Sequence, residues 1–141
     1  MSAIRTFRDL RAWQVAMDVV ELTYRLTALF PPDERFGQRM QMRRAAVSIP
    51  SNVAEGQGVR ASRWSLRYIV VAIGSACELE TQLEAAVRLK FVTADAAANL
   101  SEQLDRTQKL LYGMRREKEL RLGTAMILAV SVVLAVVHAV L

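Results

Sequence analysis

The chain is expected to be all-α, an antiparallel up-down four-helix bundle extended by an apolar C-terminal helix. Three observations lead there. Glycine and proline number only 6 and 3 in 141 residues, and they fall in a few places that cut the chain into helix-length pieces. Placed at about 100° per residue, the apolar residues of those pieces gather on faces. The last stretch, in contrast, is apolar throughout.

The first helix is expected from about Thr6 to Leu29, where Phe30, Pro31, Pro32 and Asp33 stop it and supply a cap for the next. The second runs from about Glu34 to Glu55 and closes at Gly56-Gln57-Gly58, with a kink at Pro50, which lacks a backbone donor. The third starts at Ser62 as N-cap and reaches about Lys90, and Phe91-Val92-Thr93 forms a tight connection. The fourth begins after Thr93 or Asp95 and meets no breaker before Gly113. The domain boundary is placed between a bundle of residues 1–121 and a tail of residues 122–141.

The first helix has two apolar faces. Leu10, Trp13, Met17, Val20 and Tyr24 form one stripe, and Val15, Val19, Leu22 and Leu26 lie roughly opposite. A lone bundle buries one face per helix. The stripe of Val15, Val19, Leu22 and Leu26 is therefore expected at an oligomer interface, the alternative being that the helix sits centrally in its own bundle.

Two charges fall inside apolar faces. Arg43 sits among Phe36, Met40, Val47 and Ala54 on the second helix, and Glu80 among Ile69, Ile73, Ala76, Leu83 and Val87 on the third. A buried charge needs a hydrogen-bonded partner. A buried ion pair between Arg43 and Glu80 is expected, or else a pairing of each across a subunit contact; drift of register at Pro50 would instead turn Arg43 to water.

Lysine and arginine total 19 against 14 acidic residues, a net charge of +5, which favours an anionic partner such as nucleic acid or lipid headgroups. Arg35, Arg39 and Arg44, with Arg60, Arg63 and Arg67, make a basic region in which only Glu55 is negative. These six are the candidate nucleic-acid-binding residues: guanidinium forks bind phosphate bidentately, and Trp64 and Tyr68 stand among them as stacking platforms. No RNA- or DNA-specific motif accompanies them, so a solvated face with salt bridges between subunits, to Glu78, Glu84 or Glu117, fits the same residues.

Several chemistries are excluded. The Glu-x-x-His pattern of a di-iron bundle is absent, and the one histidine, His138, lies in the tail, so no catalytic residue, metal site or cofactor is expected. Cys77 is the only cysteine, which rules out an intrachain disulfide or a thiolate zinc site, and it reads as inert packing at the edge of an apolar face. Glu84 is placed to pair with Arg88 at i,i+4. Gly56-Gln57-Gly58 follows a helix, not a strand, and no Gly-Lys-Ser/Thr completes a phosphate loop. Met1 to Arg11 carries charges without an apolar run, so no secretory signal is expected and a cytoplasmic bundle is.

Phe7-Arg-Asp-Leu10, Trp13-Gln14-x-Ala16, Tyr24, Phe30-Pro31 and Glu34-x-Phe36-Gly37 stand in order, followed by the unbroken run from Arg43 to Gly56. Arg60-x-Ser62 and Gly74 to Thr81 come next. In these segments, over about residues 5 to 115, the chain resembles the four-helix bundle proteins of the 23S rRNA intervening sequences. The resemblance implies a ring-like homopentamer. A related branch, the accessory variability determinants of diversity-generating retroelements, is basic, binds nucleic acid and partners a reverse transcriptase. Gln38 departs from the family pattern, which has an apolar residue there.

The tail departs more. From Gly123 to Leu141 no residue is charged. As a helix this run spans roughly 28 Å, close to the ~30 Å hydrocarbon thickness of a bilayer. Arg115, Arg116, Lys118 and Arg121 precede it, so a transmembrane helix would leave the bundle in the cytoplasm. The soluble alternative continues the fourth helix into an oligomer core. Two functions follow: a non-enzymatic homo-oligomeric adaptor whose basic surface binds RNA, DNA or a partner such as a reverse transcriptase, or a structural membrane-tethered scaffold with no nucleic-acid role.

Overall fold

The computed structural model describes residues 5–59 and 62–140, with the side chains of 62 and 136–140 outside the description. Among the described residues all regular structure is helical: α1 is Arg11–Thr27, α2 Gln38–Gly58, α3 Ser62–Arg88 and α4 Ala94–Val140. Single 3-10 turns at Phe7–Asp9 and Pro32–Arg35 precede α1 and α2. Packing joins α1 to α2, α2 to α3, α3 to α4, and α4 back to α1, the closed order of an up-down four-helix bundle with short connections.

The helix ends follow local chemistry. The Asp9 carboxylate accepts the backbone amides of Thr6 at 2.9 Å and Arg5 at 2.8 Å, which holds its pKa below the ordinary value. At the second junction the first helix stops at Thr27 and the next starts at Gln38, later than the sequence suggested, because Pro32–Arg35 forms its own turn. The N-cap residue there is Gly37, not Asp33, and the Glu34 carboxylate accepts the Gln38 amide at 2.9 Å. The Gln38 side chain then reaches across to the Gln82 carbonyl of α3, 2.5 Å away. Thr93 caps α4 by accepting the Ala96 amide at 3.1 Å.

At the end of α3, Lys90 has φ 60°. Its amide donates to the Val87 carbonyl at 3.0 Å, and the Phe91 amide to the Ala86 carbonyl at 2.9 Å. This pair of bonds is a Schellman motif with lysine at the left-handed position that glycine usually takes. Phe91 turns inward against Phe30, ring centroids 5.5 Å apart, and so pins the α3–α4 connection to the end of α1.

The core draws on all four helices, through Val15, Ala16 and Val19 of α1, Met42, Ile49 and Val53 of α2, Ile69, Ala72 and Leu79 of α3, and Leu100, Leu104 and Leu111 of α4. Pro50 is buried inside α2, which runs on past it to Gly58. Near that end α2 and α3 come close: a Cβ at Gly56 would lie 3.1 Å from the Tyr68 Cβ, and the Ser65 hydroxyl donates to the Gly56 carbonyl at 2.5 Å.

Three expectations are corrected by this packing. Val15 and Val19 are fully buried and Leu26 is 6% exposed within one chain, with Leu22 half-buried, so this stripe forms the protomer's own core and is not a free subunit interface. It is the opposite stripe of α1 that turns outward, with Trp13, Met17 and Val20 half-buried and Tyr24 exposed. On α2 the core face is Met42, Ala45, Ala46, Ile49 and Val53, while Met40 and Val47, with Phe36 just before the helix, face solvent. Alanines carry little hydropathy but allow close helix approach, and that decides the rotation. Cys77 is exposed instead of packed.

The tail continues α4 without a break through Gly113 and Gly123. Beyond Gly123 every side chain described is exposed, among them Met126, Ile127, Leu128, Val130, Val132, Val133 and Leu134. Among the described residues no helix is long and apolar enough to cross a membrane. The turns before the uncharged run carry Arg115, Arg116, Lys118 and Arg121. The expected transmembrane helix therefore loses its support.

Candidate nucleic-acid interface

A groove of about 620 Å³ lies on the outer surface of α1 and α2. Its apolar floor is Tyr24, Phe36, Met40 and Val47, and its walls carry the four guanidinium groups of Arg35, Arg39, Arg43 and Arg44. Helical geometry explains the grouping. Residues 40, 43, 44 and 47 repeat at i,i+3 and i,i+4, so they share the face of α2 opposite its core. The 3-10 turn before α2 swings Arg35 and Phe36 to the groove's end.

The four arginines differ in how they are held. Arg43 Nε donates to the Thr27 hydroxyl at 2.9 Å, and its guanidinium lies 4.5 Å from the Tyr24 ring centroid. Arg39 donates to the Phe30 carbonyl at 2.6 Å, and its Nε is buried without a partner. Arg35 stands 5.3 Å from the Phe36 ring centroid. Arg35 and Arg44 are exposed, and among the described residues none of the four forms an ion pair. No carboxylate lines the groove, so its positive potential is uncompensated locally.

The buried Arg43–Glu80 pair does not form within the chain. Arg43 turns back to the end of α1, and Glu80 is exposed, accepting from the Gln108 side chain of α4 at 2.9 Å. A neutral hydroxyl and an aromatic face meet the arginine's needs without burying two charges. The surface pair Glu84–Arg88 does form, at 2.7 Å.

Of the six candidate phosphate-binding residues, the groove brings together Arg35, Arg39 and Arg44. Arg63 and Arg67 are exposed on the first turns of α3 outside its lining, with Arg67 5.7 Å from the Trp64 ring centroid; Trp64 is exposed and Tyr68 half-buried. Arg60 lies outside the described residues. Arg43, Tyr24 and Phe36 belong to the groove and were assigned elsewhere by sequence; the i,i+4 spacing of Arg39 and Arg43 was the signal for Arg43, and nothing on α2 pointed to Tyr24, which α1 contributes. Among the described residues no group of three His, Cys, Asp or Glu side chains is placed to hold a metal.

Fold and surface together define a four-helix bundle with an arginine-lined groove. The profile of the 23S rRNA-intervening sequence protein family matches residues 8–113, and the chain belongs to that family. Among solved structures the chain is similar to a protein of unknown function from the S23 ribosomal protein family of Bacteroides thetaiotaomicron. The TM-score is 0.69 at 18% identity, covering 74% of this chain and 97% of that one, a likeness that shows the bundle fold. No curated protein matches the chain.

Proposed function

We propose that this protein is a non-enzymatic, homo-oligomeric adaptor that binds nucleic acid, or a nucleic-acid enzyme such as a reverse transcriptase, through its basic surface. One observation carries the reading: four arginines converge on one groove that has no carboxylate in its lining. Among the described residues none of these guanidinium groups is neutralised by an ion pair, and Arg35 and Arg44 are exposed to phosphate oxygens.

The homo-oligomeric part, the ring of five implied by the family included, draws support from Val70 and Val71, each 45% exposed and adjacent on α3. Light scattering of the full chain tests it, and a monomer at all concentrations in detergent overturns it.

Fluorescence anisotropy with labelled RNA and DNA tests the binding. Affinity is expected to fall linearly in log–log terms with salt, and Arg44→Gln to lower that slope by about one phosphate contact. Absence of binding to any nucleic acid at low salt overturns the reading and leaves a structural scaffold.

A further inference from the structure

We infer that the groove selects single-stranded over duplex nucleic acid, seating an unpaired base on its apolar floor while the arginines hold the flanking phosphates. This rests on the nucleic-acid reading above and narrows it.

The floor is what discriminates. Phe36 is 75% exposed and Tyr24 44% exposed, and both line the groove with Met40 and Val47 beside the guanidinium groups. A duplex presents phosphates outward and keeps its bases stacked inside. It can satisfy the arginine walls, but it has nothing to place on the floor, which stays wet. A single strand can turn a base outward, cover the Phe36 ring and remove that apolar area from water, a gain that every base can make because each has a flat face. The volume agrees: about 620 Å³ suits a ligand of one or two nucleotides and not a double helix.

The arginines are arranged for such a ligand. Arg43 is held by Thr27 over the Tyr24 ring, and Arg39 is held by the Phe30 carbonyl, so both are ordered before a ligand arrives. Arg44, exposed at the rim, is free to reach a phosphate of a flexible strand, and Arg35, 5.3 Å from the Phe36 ring centroid, swings off that ring to a flanking phosphate as a base takes its place.

The test uses the full chain and three labelled probes of one sequence: a single strand, its duplex, and the same strand with abasic sites. The single strand is expected to bind roughly tenfold tighter than the duplex at equal salt, and the abasic strand to lose that advantage. Phe36→Ala should reduce single-strand affinity by a similar factor, leave duplex binding unchanged and keep the salt slope. Phe36 is mostly exposed, so circular dichroism should show the variant folded. Equal affinity for strand and duplex, indifferent to Phe36→Ala, overturns the base-seating inference and leaves phosphate binding in place. Loss of oligomer size on Phe36→Ala overturns it in favour of a second copy in the groove. Absence of binding to all three probes overturns both readings.

Discussion

Arg43 and Thr27 tie α2 to the last turn of α1: the guanidinium Nε donates to the threonine hydroxyl at 2.9 Å, and that hydroxyl donates in turn to the Thr23 carbonyl at 2.7 Å. The threonine is fully buried, so the bond closes a polar site that water does not reach. The same contact orients Arg43 over Tyr24 and sets one wall of the groove.

A double-mutant cycle therefore separates this contact from the ion pair suggested by sequence. Arg43→Met combined with Thr27→Val should show a coupling of about 1 kcal/mol in thermal or urea unfolding. Arg43→Met combined with Glu80→Gln should be additive. Strong coupling to Glu80 in the isolated protomer would restore the buried pair.

Val19 is fully buried in the protomer, so a substitution there acts on the core. Val19→Asp places an unpaired carboxylate among apolar side chains at a cost of several kcal/mol, comparable to the whole stability of a small domain. The expected outcome is loss of helical circular dichroism. Folded monomers released by the substitution would show that this stripe meets another subunit after all.

Lys90 occupies the left-handed position of a Schellman motif, where a Cβ is unfavourable and glycine is not. Lys90→Gly should raise stability by about 1 kcal/mol, seen as a higher melting temperature. Lys90→Ala, which keeps the Cβ, should not. A destabilised glycine variant would mean that the lysine side chain has a role that outweighs the backbone.

Removing residues 122–141 should leave the bundle's melting temperature unchanged, because every described side chain from Gly123 to Ala135 is exposed and adds nothing to the core. The same exposed apolar surface should make the full chain self-associate or require detergent, whereas the shortened chain should not. Sedimentation of both forms with and without detergent checks this. A shortened chain that unfolds earlier, or that loses the oligomeric state of the bundle, would show that the tail packs on protein.

The number of helices and the position of their connections were legible in the sequence because the signals are local. Pro31-Pro32, the Gly56-Gln57-Gly58 segment and Thr93 act on their own backbone, and Gly113 and Gly123, without proline or a cap beside them, do not stop α4. The basic character of the second helix was legible for the same reason, as was the i,i+4 pair of Glu84 with Arg88.

Which face each helix turns inward was decided only in three dimensions. On α1 two apolar stripes competed, and on α2 the larger side chains Met40 and Val47 were left outside while Ala45 and Ala46 went in. Periodicity gives the angle between residues on one helix, but the rotation of that helix is set by how closely its neighbours approach, and small residues permit the closest contact. The groove, with Arg43 turned to Thr27 and not to Glu80, is a consequence of that rotation.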